Sequence, residues 1–282
     1  MCDTPWLSRR TALRGAALAL GATPLLATPA FADQRFRVLV FSRTTGFRHA
    51  SIPDGIRAIR ELGAEHGFGV DATEDPAWFN PEWLRGYAAV IFLSTTGTVL
   101  DTRPQRAAFE SYIRSGGGYV GIHSAADTEY NWPFYGRLAG AWFKCHPVQQ
   151  AAAFDNEGHG HPATSHLAER FTVVDEFYSF RTNPRPDVDV LLTIDESTYL
   201  PDPNTTNLPV NGDGEYNETW LPGETGYMSG ERGVPGDHPM SWTHRNLGGS
   251  AFYTALGHES YLYDQAWFRR HLLGGIRSAA RT

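Results

Sequence analysis

Cysteine is nearly absent, with two residues in 282. Cys2 falls in what reads as a cleaved leader, so the mature chain keeps only Cys145 and an internal disulfide is excluded. Zinc sites built on cysteine pairs are excluded with it, and no H-E-x-x-H motif occurs. Cys145 lies in Lys144-Cys145-His146-Pro147, away from any strand-to-helix turn, where a small buried filler is expected rather than a nucleophile. Excess positive charge is missing too: the formal net charge of −7 gives no general attraction to nucleic acid. The one long apolar run is too short for a membrane span. There is no internal repeat and no clear linker.

That apolar run, Ala16 to Leu26, follows a twin-arginine segment, Ser8-Arg9-Arg10-Thr11-Ala12-Leu13-Arg14. It precedes Ala30-Phe31-Ala32, a small-x-small cleavage site before Asp33. Residues 1–32 therefore read as a twin-arginine signal peptide, and the expected location is periplasmic or extracellular. Residues 33–282 read as a single domain with a long irregular insertion at about 201–239, where Pro, Gly, Asn and Asp dominate. Hydrophobic content of 41% and charged content of 20% are ordinary for a globular chain. The 8 tryptophans suit a rich core or a sugar-stacking cleft.

The remaining pattern is strand, helix, strand. Arg37–Ser42, Phe68–Ala72 and Ala88–Ser94 read as short buried strands, with helices over Asp54–His66 and Thr102–Ser115. Buried parallel strands are predicted, with ligands beyond their carboxyl ends. Next comes Ser115-Gly116-Gly117-Gly118-Tyr119-Val120-Gly121-Ile122-His123, designed like a nucleophile elbow with a sharp turn expected at Gly121. The raised position holds His123, not Ser or Cys. Later strands are predicted over Phe171–Phe180, Val188–Asp195 and Gly249–His258, with a closing helix over Gln265–Ala280.

Eleven histidines are many for this length. His49, His123, His146 and His258 fall at strand ends, where imidazoles serve proton transfer or metal binding. A divalent metal such as zinc is one expectation, with those four as ligands. His159-Gly160-His161 is a weaker chelating spacing. Asp175 and Glu176 are adjacent carboxylates that point to opposite faces on a strand, and Glu176 is the expected acid or base. Asp127 suits either orienting His123 or capping a helix. Arg48 and Lys144 are candidates for holding an oxygen-rich ligand. Thr95 and Thr96 share the predicted strand-end edge with His49 and His123.

Several ordered motifs run along the chain: Arg43-Thr44-Thr45-Gly46-Phe47-Arg48-His49, Gly121-Ile122-His123-Ser124-Ala125-Ala126-Asp127, Trp132-Pro133-x-Tyr135, Phe143-Lys144-x-His146-Pro147, Asp175-Glu176-x-Tyr178-x-Phe180, and Tyr253-Thr254-x-Leu256-Gly257-His258. Together they resemble the ThuA-like (trehalose-utilisation) family. The resemblance implies an α/β fold, flavodoxin-like in layering, of the class I glutamine amidotransferase-like type with a mostly parallel sheet. It also implies carbohydrate-related work. Glutaminase activity is not implied, because His123 stands where those relatives carry cysteine.

Two functions are expected from this reading. One is an exported enzyme that cleaves or isomerises a glycoside or keto-sugar, with His123, Glu176, His49 and Asp127 as its catalytic set. The other is a non-catalytic sugar-binding protein of the same fold. Trp132, Tyr135, Trp142 and Tyr178 are the candidate stacking residues, with Arg48, Thr95 and Lys144 as polar contacts. The expected partner is a small carbohydrate, and self-association into a homo-oligomer stays open.

Overall fold

A computed structural model of the chain describes residues 35–198 and 237–282. The expected signal peptide and most of the expected insertion lie outside the described residues.

The first half is built as the apolar runs predict. β1 (Arg37–Phe41), β2 (Gly69–Thr73), β3 (Ala89–Leu93) and β4 (Gly118–Ile122) pair in parallel in the order β2-β1-β3-β4. All residues of β3 and β4 are buried, as central strands covered on both faces must be. α1 (Ile52–His66) follows β1 and ends at Gly67, which takes the left-handed conformation. α2 (Pro81–Leu84) is a single turn before β3. α3 (Arg103–Arg114) starts at Thr102, where Thr102 and Gln105 form a reciprocal capping box. α4 (Pro133–Ala139) follows the elbow, and α5 (Ala266–Ala280) closes the fold.

The helices make two outer layers. α1 packs against α5 on one face, and Gly55 of α1 lies so close to Leu93 that a Cβ would stand 2.9 Å from it. On the other face the Phe92 ring meets Phe109 of α3 at 5.3 Å and Tyr135 of α4 at 5.4 Å. The three-layer α/β architecture is thereby present.

The second half widens the sheet. β5 (Phe143–Cys145) pairs with β8 (Ser179–Phe180) in a small separate ladder. β6 (Gln150–Asn156), β7 (Arg170–Asp175), β9 (Asp189–Ile194), β10 (Pro239–His244) and β11 (Ala251–Thr254) join the main sheet. Its full order is β2-β1-β3-β4-β11-β10-β9-β6-β7. β11 is parallel to β4, and each pairing beyond it is antiparallel. Only β10 and β6 therefore run against the rest, so β7 ends at the same edge as β1, β3, β4 and β11.

β7 is four strands away from β11 in that order. Even so, the Asp175 carboxylate accepts hydrogen bonds from the Gly257 N–H at 2.8 Å and the Glu259 N–H at 3.1 Å. The antiparallel wing has curled until its end meets the end of β11, the response of a wide, strongly twisted sheet.

Two sequence expectations change. The strand predicted over Phe171–Phe180 is broken between β7 and β8. The break frees Glu176 and Phe177-Tyr178 from the ladder. The sharp turn predicted at Gly121 falls instead on His123, whose φ is +52°. Gly121 stays in β4, where a Cβ would stand 2.7 Å from the Tyr119 hydroxyl and 2.8 Å from the Tyr253 ring.

Candidate metal and proton-transfer site

Four segments at the carboxyl edge of the main sheet, and a fifth after β5 of the small ladder, bring their polar groups to one place. His49 comes from the loop after β1, His123 from the elbow after β4, and His258 from the turn after β11. Glu176 stands just past β7, and His146 just past β5. His123 is held from three sides. Its Nδ1–H donates to the Ala255 carbonyl at 2.8 Å, the Tyr253 Oη–H donates to the His123 carbonyl at 2.7 Å, and the Tyr178 ring lies 4.3 Å from the imidazole. A left-handed φ on a residue with a Cβ persists only when the surroundings fix it.

That single donation decides which nitrogen faces the centre. With Nδ1 donating outward to a carbonyl, His123 turns Nε2 inward. His49 Nε2 is 3.1 Å from it, His258 Nδ1 3.3 Å, and Glu176 Oε2 3.4 Å. Glu176 Oε2 and His258 Nδ1 are 3.2 Å apart. All four ligand atoms lie within 4.8 Å of one another. His49 Nδ1 rests 3.2 Å from Ser124 Oγ, which fixes its ring from behind. Outer hydrogen bonds of this kind set both tautomer and ring direction in metal centres.

The charges are those of a ligand set. Burial, together with the neighbouring imidazoles of His123 and His258, pushes His49 down to about 2, so it is neutral at pH 7. Burial alone would raise the Glu176 carboxyl, but hydrogen bonds with His123 and His258 and the nearby His146 outweigh it and hold the carboxyl below its usual range. His258 moves the other way: burial opposes its protonation, and the Glu176 carboxylate overrides that and raises it. The centre thus sets ring nitrogens and one anionic oxygen around a single point, with a proton favoured between His258 and Glu176 that a divalent cation would displace. A cation satisfies that arrangement. Four of the six donor–donor edges, at 3.1–3.4 Å, also match the spacing, about 3.3 Å, of a tetrahedral shell with bonds of about 2.0 Å.

His146 stands one step out. Its Nδ1 lies 3.2 Å from Glu176 Oε1 and 3.0 Å from the Pro147 carbonyl. Both neighbours accept, so Nδ1 is the donor and Nε2 is left for other work. Side-chain exposure rises from 0% at His123 through 18% at His258 to 32% at His146, which marks the mouth. Asp127 does not touch His123. Its carboxylate accepts from Tyr130 Oη–H at 2.5 Å, and burial raises it to about 6 against the opposing pull of that bond and of His123.

The other predicted residues scatter. Tyr135 and Trp132 are buried in the core, Tyr135 donating to the Ala125 carbonyl at 2.8 Å, and neither offers a face to a sugar. Tyr178 is buried against His123 as a wall, not as an open platform. Thr95 Oγ1 pairs with Thr128 Oγ1 at 2.8 Å inside the protein. Thr96 ties the loop before His49 through Gly46 N–H at 3.2 Å and the Phe47 carbonyl at 2.8 Å. Arg48 points away, to Glu74 at 2.7 Å. Lys144, in β5, and Trp142, just before it, are half-buried. Cys145 is buried, as expected of a filler. His161 leans on Ser278 Oγ at 3.0 Å, and His159-Gly160-His161 forms no group of three ligands among the described residues.

Sequence reasoning missed Ser124, the Ala255 carbonyl, Tyr130 and Phe47. Ser124 adjoins His123, and that adjacency was the available signal. Phe47 is 66% exposed with its ring 4.8 Å from His49, and only the fold reveals it as a rim residue.

Comparison with known proteins bears on the family and the fold. No curated protein matches the chain. Its structure is similar to a ThuA-like protein of Bacteroides uniformis ATCC 8492, with 25% identity, coverage of 92% of this chain and 95% of that one, and a TM-score of 0.65. A ThuA-like protein of Parabacteroides merdae ATCC 43184 shares the fold at 16% identity, with 87% and 90% coverage and a TM-score of 0.59. The ThuA profile, described as trehalose utilisation, matches residues 37–279, and the chain belongs to that family.

Proposed function

We propose that the chain is an exported enzyme of carbohydrate breakdown that opens a glycoside through its keto form, with a divalent metal at His49, His123, Glu176 and His258. The observation that carries this reading is the convergence of three imidazoles and one carboxylate on a single buried point. A bound ion of this type supplies Lewis acidity, which polarises a ketone and acidifies the neighbouring C–H.

The chain's own groups handle the protons. His146 offers Nε2 at the mouth and takes the proton from the carbon beside the ketone. The electron pair of that C–H bond forms a double bond to the next carbon, whose glycosidic C–O bond breaks with its pair on oxygen. The leaving oxygen takes a proton from Asp127, whose carboxyl, raised to about 6, keeps a protonated fraction near neutrality. Tyr130 steadies Asp127. Glu176 and His123, expected from sequence as the proton carriers, serve as ligands under this reading, since each already faces the other donors. Phe47 supplies an apolar rim for the sugar ring. Export rests on Ser8-Arg9-Arg10 and the apolar run behind it.

The test pairs elemental analysis of purified mature protein with a panel of glycosides and their keto derivatives. About one transition-metal ion per chain, and chelator-sensitive release of the aglycone from keto-glycosides, are expected. Stoichiometric metal without turnover of any member would favour a binding protein. Neither metal nor turnover would remove the proposal.

A further inference from the structure

We infer that a cleft at the opposite edge of the sheet is a second, non-catalytic site for a neutral saccharide. It encloses about 270 Å³ and is lined by Arg37, Trp78, Trp83, Gly86 and Tyr87. Arg37 opens β1, and Gly86-Tyr87 lead into β3. His49 follows the other end of β1, so five strand residues, about 16 Å, separate the two places. The cleft is no extension of the metal centre.

Its aromatic wall is fixed in advance. Asn80 Oδ1 accepts from the Glu82 and Trp83 N–H groups at 3.1 and 3.0 Å, locking the short turn that carries Trp83. Asp75 Oδ1 does the same for the turn before Trp78, through the Ala77 N–H at 2.8 Å. The two indoles then meet edge to face at 4.5 Å, and Tyr87 lies 6.4 Å from Trp78. Trp83 is still 45% exposed, one of five large apolar side chains that reach solvent among the described residues. An indole held rigid and left open in a concave site lacks its partner surface.

The polar half selects the ligand's charge. The Arg37 guanidinium sits over the Tyr87 ring at 5.8 Å and pairs with Asp71, which also accepts from Tyr87 Oη–H at 2.8 Å. The cation occupies the Tyr87 face that a quaternary ammonium would need. Asp71 cancels the charge that an anion would need. Arg37 keeps its other N–H donors toward water, its side chain being 53% exposed. A ligand with an apolar C–H face, hydroxyl acceptors and no net charge fits all three conditions, and a pyranose is that ligand.

The test is calorimetric titration of the mature chain with trehalose, maltohexaose and cellohexaose, run on wild type, Trp83→Ala, Trp83→Phe and His123→Ala. At least one saccharide should bind wild type and His123→Ala alike. Trp83→Ala should weaken it about tenfold, and Trp83→Phe, which keeps a ring, by less than about threefold. Thermal melts of each variant confirm the fold, which a half-exposed residue on a surface turn leaves intact. Absence of binding by all three saccharides overturns the inference. So does binding insensitive to Trp83, or tetramethylammonium binding more tightly than any of the three. Loss of turnover with this binding intact would speak only to the metal centre.

Discussion

The Nε2 atoms of His49 and His123 face each other at 3.1 Å, although 74 residues separate them in the chain. The Ala255 carbonyl and Ser124 hydroxyl take the opposite nitrogens, so neither ring can turn away without breaking a hydrogen bond. Two ring nitrogens at that spacing need a shared proton or a cation between them.

Removing one of the pair should therefore remove the ion. His123→Ala is expected to lower bound metal at least tenfold after purification, measured by elemental analysis. The fold should survive, because the elbow strand is held by its neighbours β3 and β11. Retention of full metal content in that variant would contradict the assignment of His123 as a ligand.

His146→Ala should separate the two roles. The residue touches Glu176 Oε1 and not the ligand atoms at the centre, so metal content should stay near wild type. Turnover of a keto-glycoside should fall by roughly 10²–10⁴, the usual scale for losing a general base. Equal loss of metal and turnover would place His146 among the ligands instead.

Acid should destabilise the metal-free protein through a histidine far from the centre. His271 is buried, donates Nδ1–H to the Ala163 carbonyl at 2.9 Å, and is pushed by burial down to about 3. Its folded value lies below its unfolded value, so its contribution is complete above about 6.5 and drains away as pH falls toward about 3. That is a slope of up to about 1.4 kcal/mol per pH unit in this window. Chemical denaturation in chelator at pH 7 and pH 5 should show a shallower loss for His271→Leu than for wild type, whatever the absolute stabilities.

Gly257→Ala tests the turn that delivers His258. Its φ is +118°, and an added Cβ would stand 2.7 Å from the Tyr263 hydroxyl. A stability loss of about 2 kcal/mol is expected, together with weaker metal binding, because backbone strain at this point shifts a ligand. Denaturant midpoints and metal titration check both parts.

Much of this centre is visible in the sequence because histidines at strand ends must arrive at one edge when the strands run in parallel. That reasoning places His49, His123 and His258 correctly from their apolar runs alone. It cannot place Glu176 beside them, since β7 lies four strands from β11 and reaches the centre only through the curl of the antiparallel wing. Nor can it distinguish Trp132 and Tyr135, buried around Phe92, from aromatics in a cleft, because burial of a ring depends on layers that form later. The elbow was legible as an address. Its turn was misplaced by two residues because Gly121 is demanded by crowding from Tyr119 and Tyr253, not by its dihedral angle.

The break between β7 and β8 has a consequence for when the centre comes into being. The carboxylate is delivered by a kinked edge strand that must first wrap around and fasten Asp175 to the backbone of Gly257 and Glu259. Until that clasp closes, the chain offers imidazoles without their anion. If the proposed ion binds here, its capture would report finished tertiary structure, and a half-folded molecule would carry no complete ligand set.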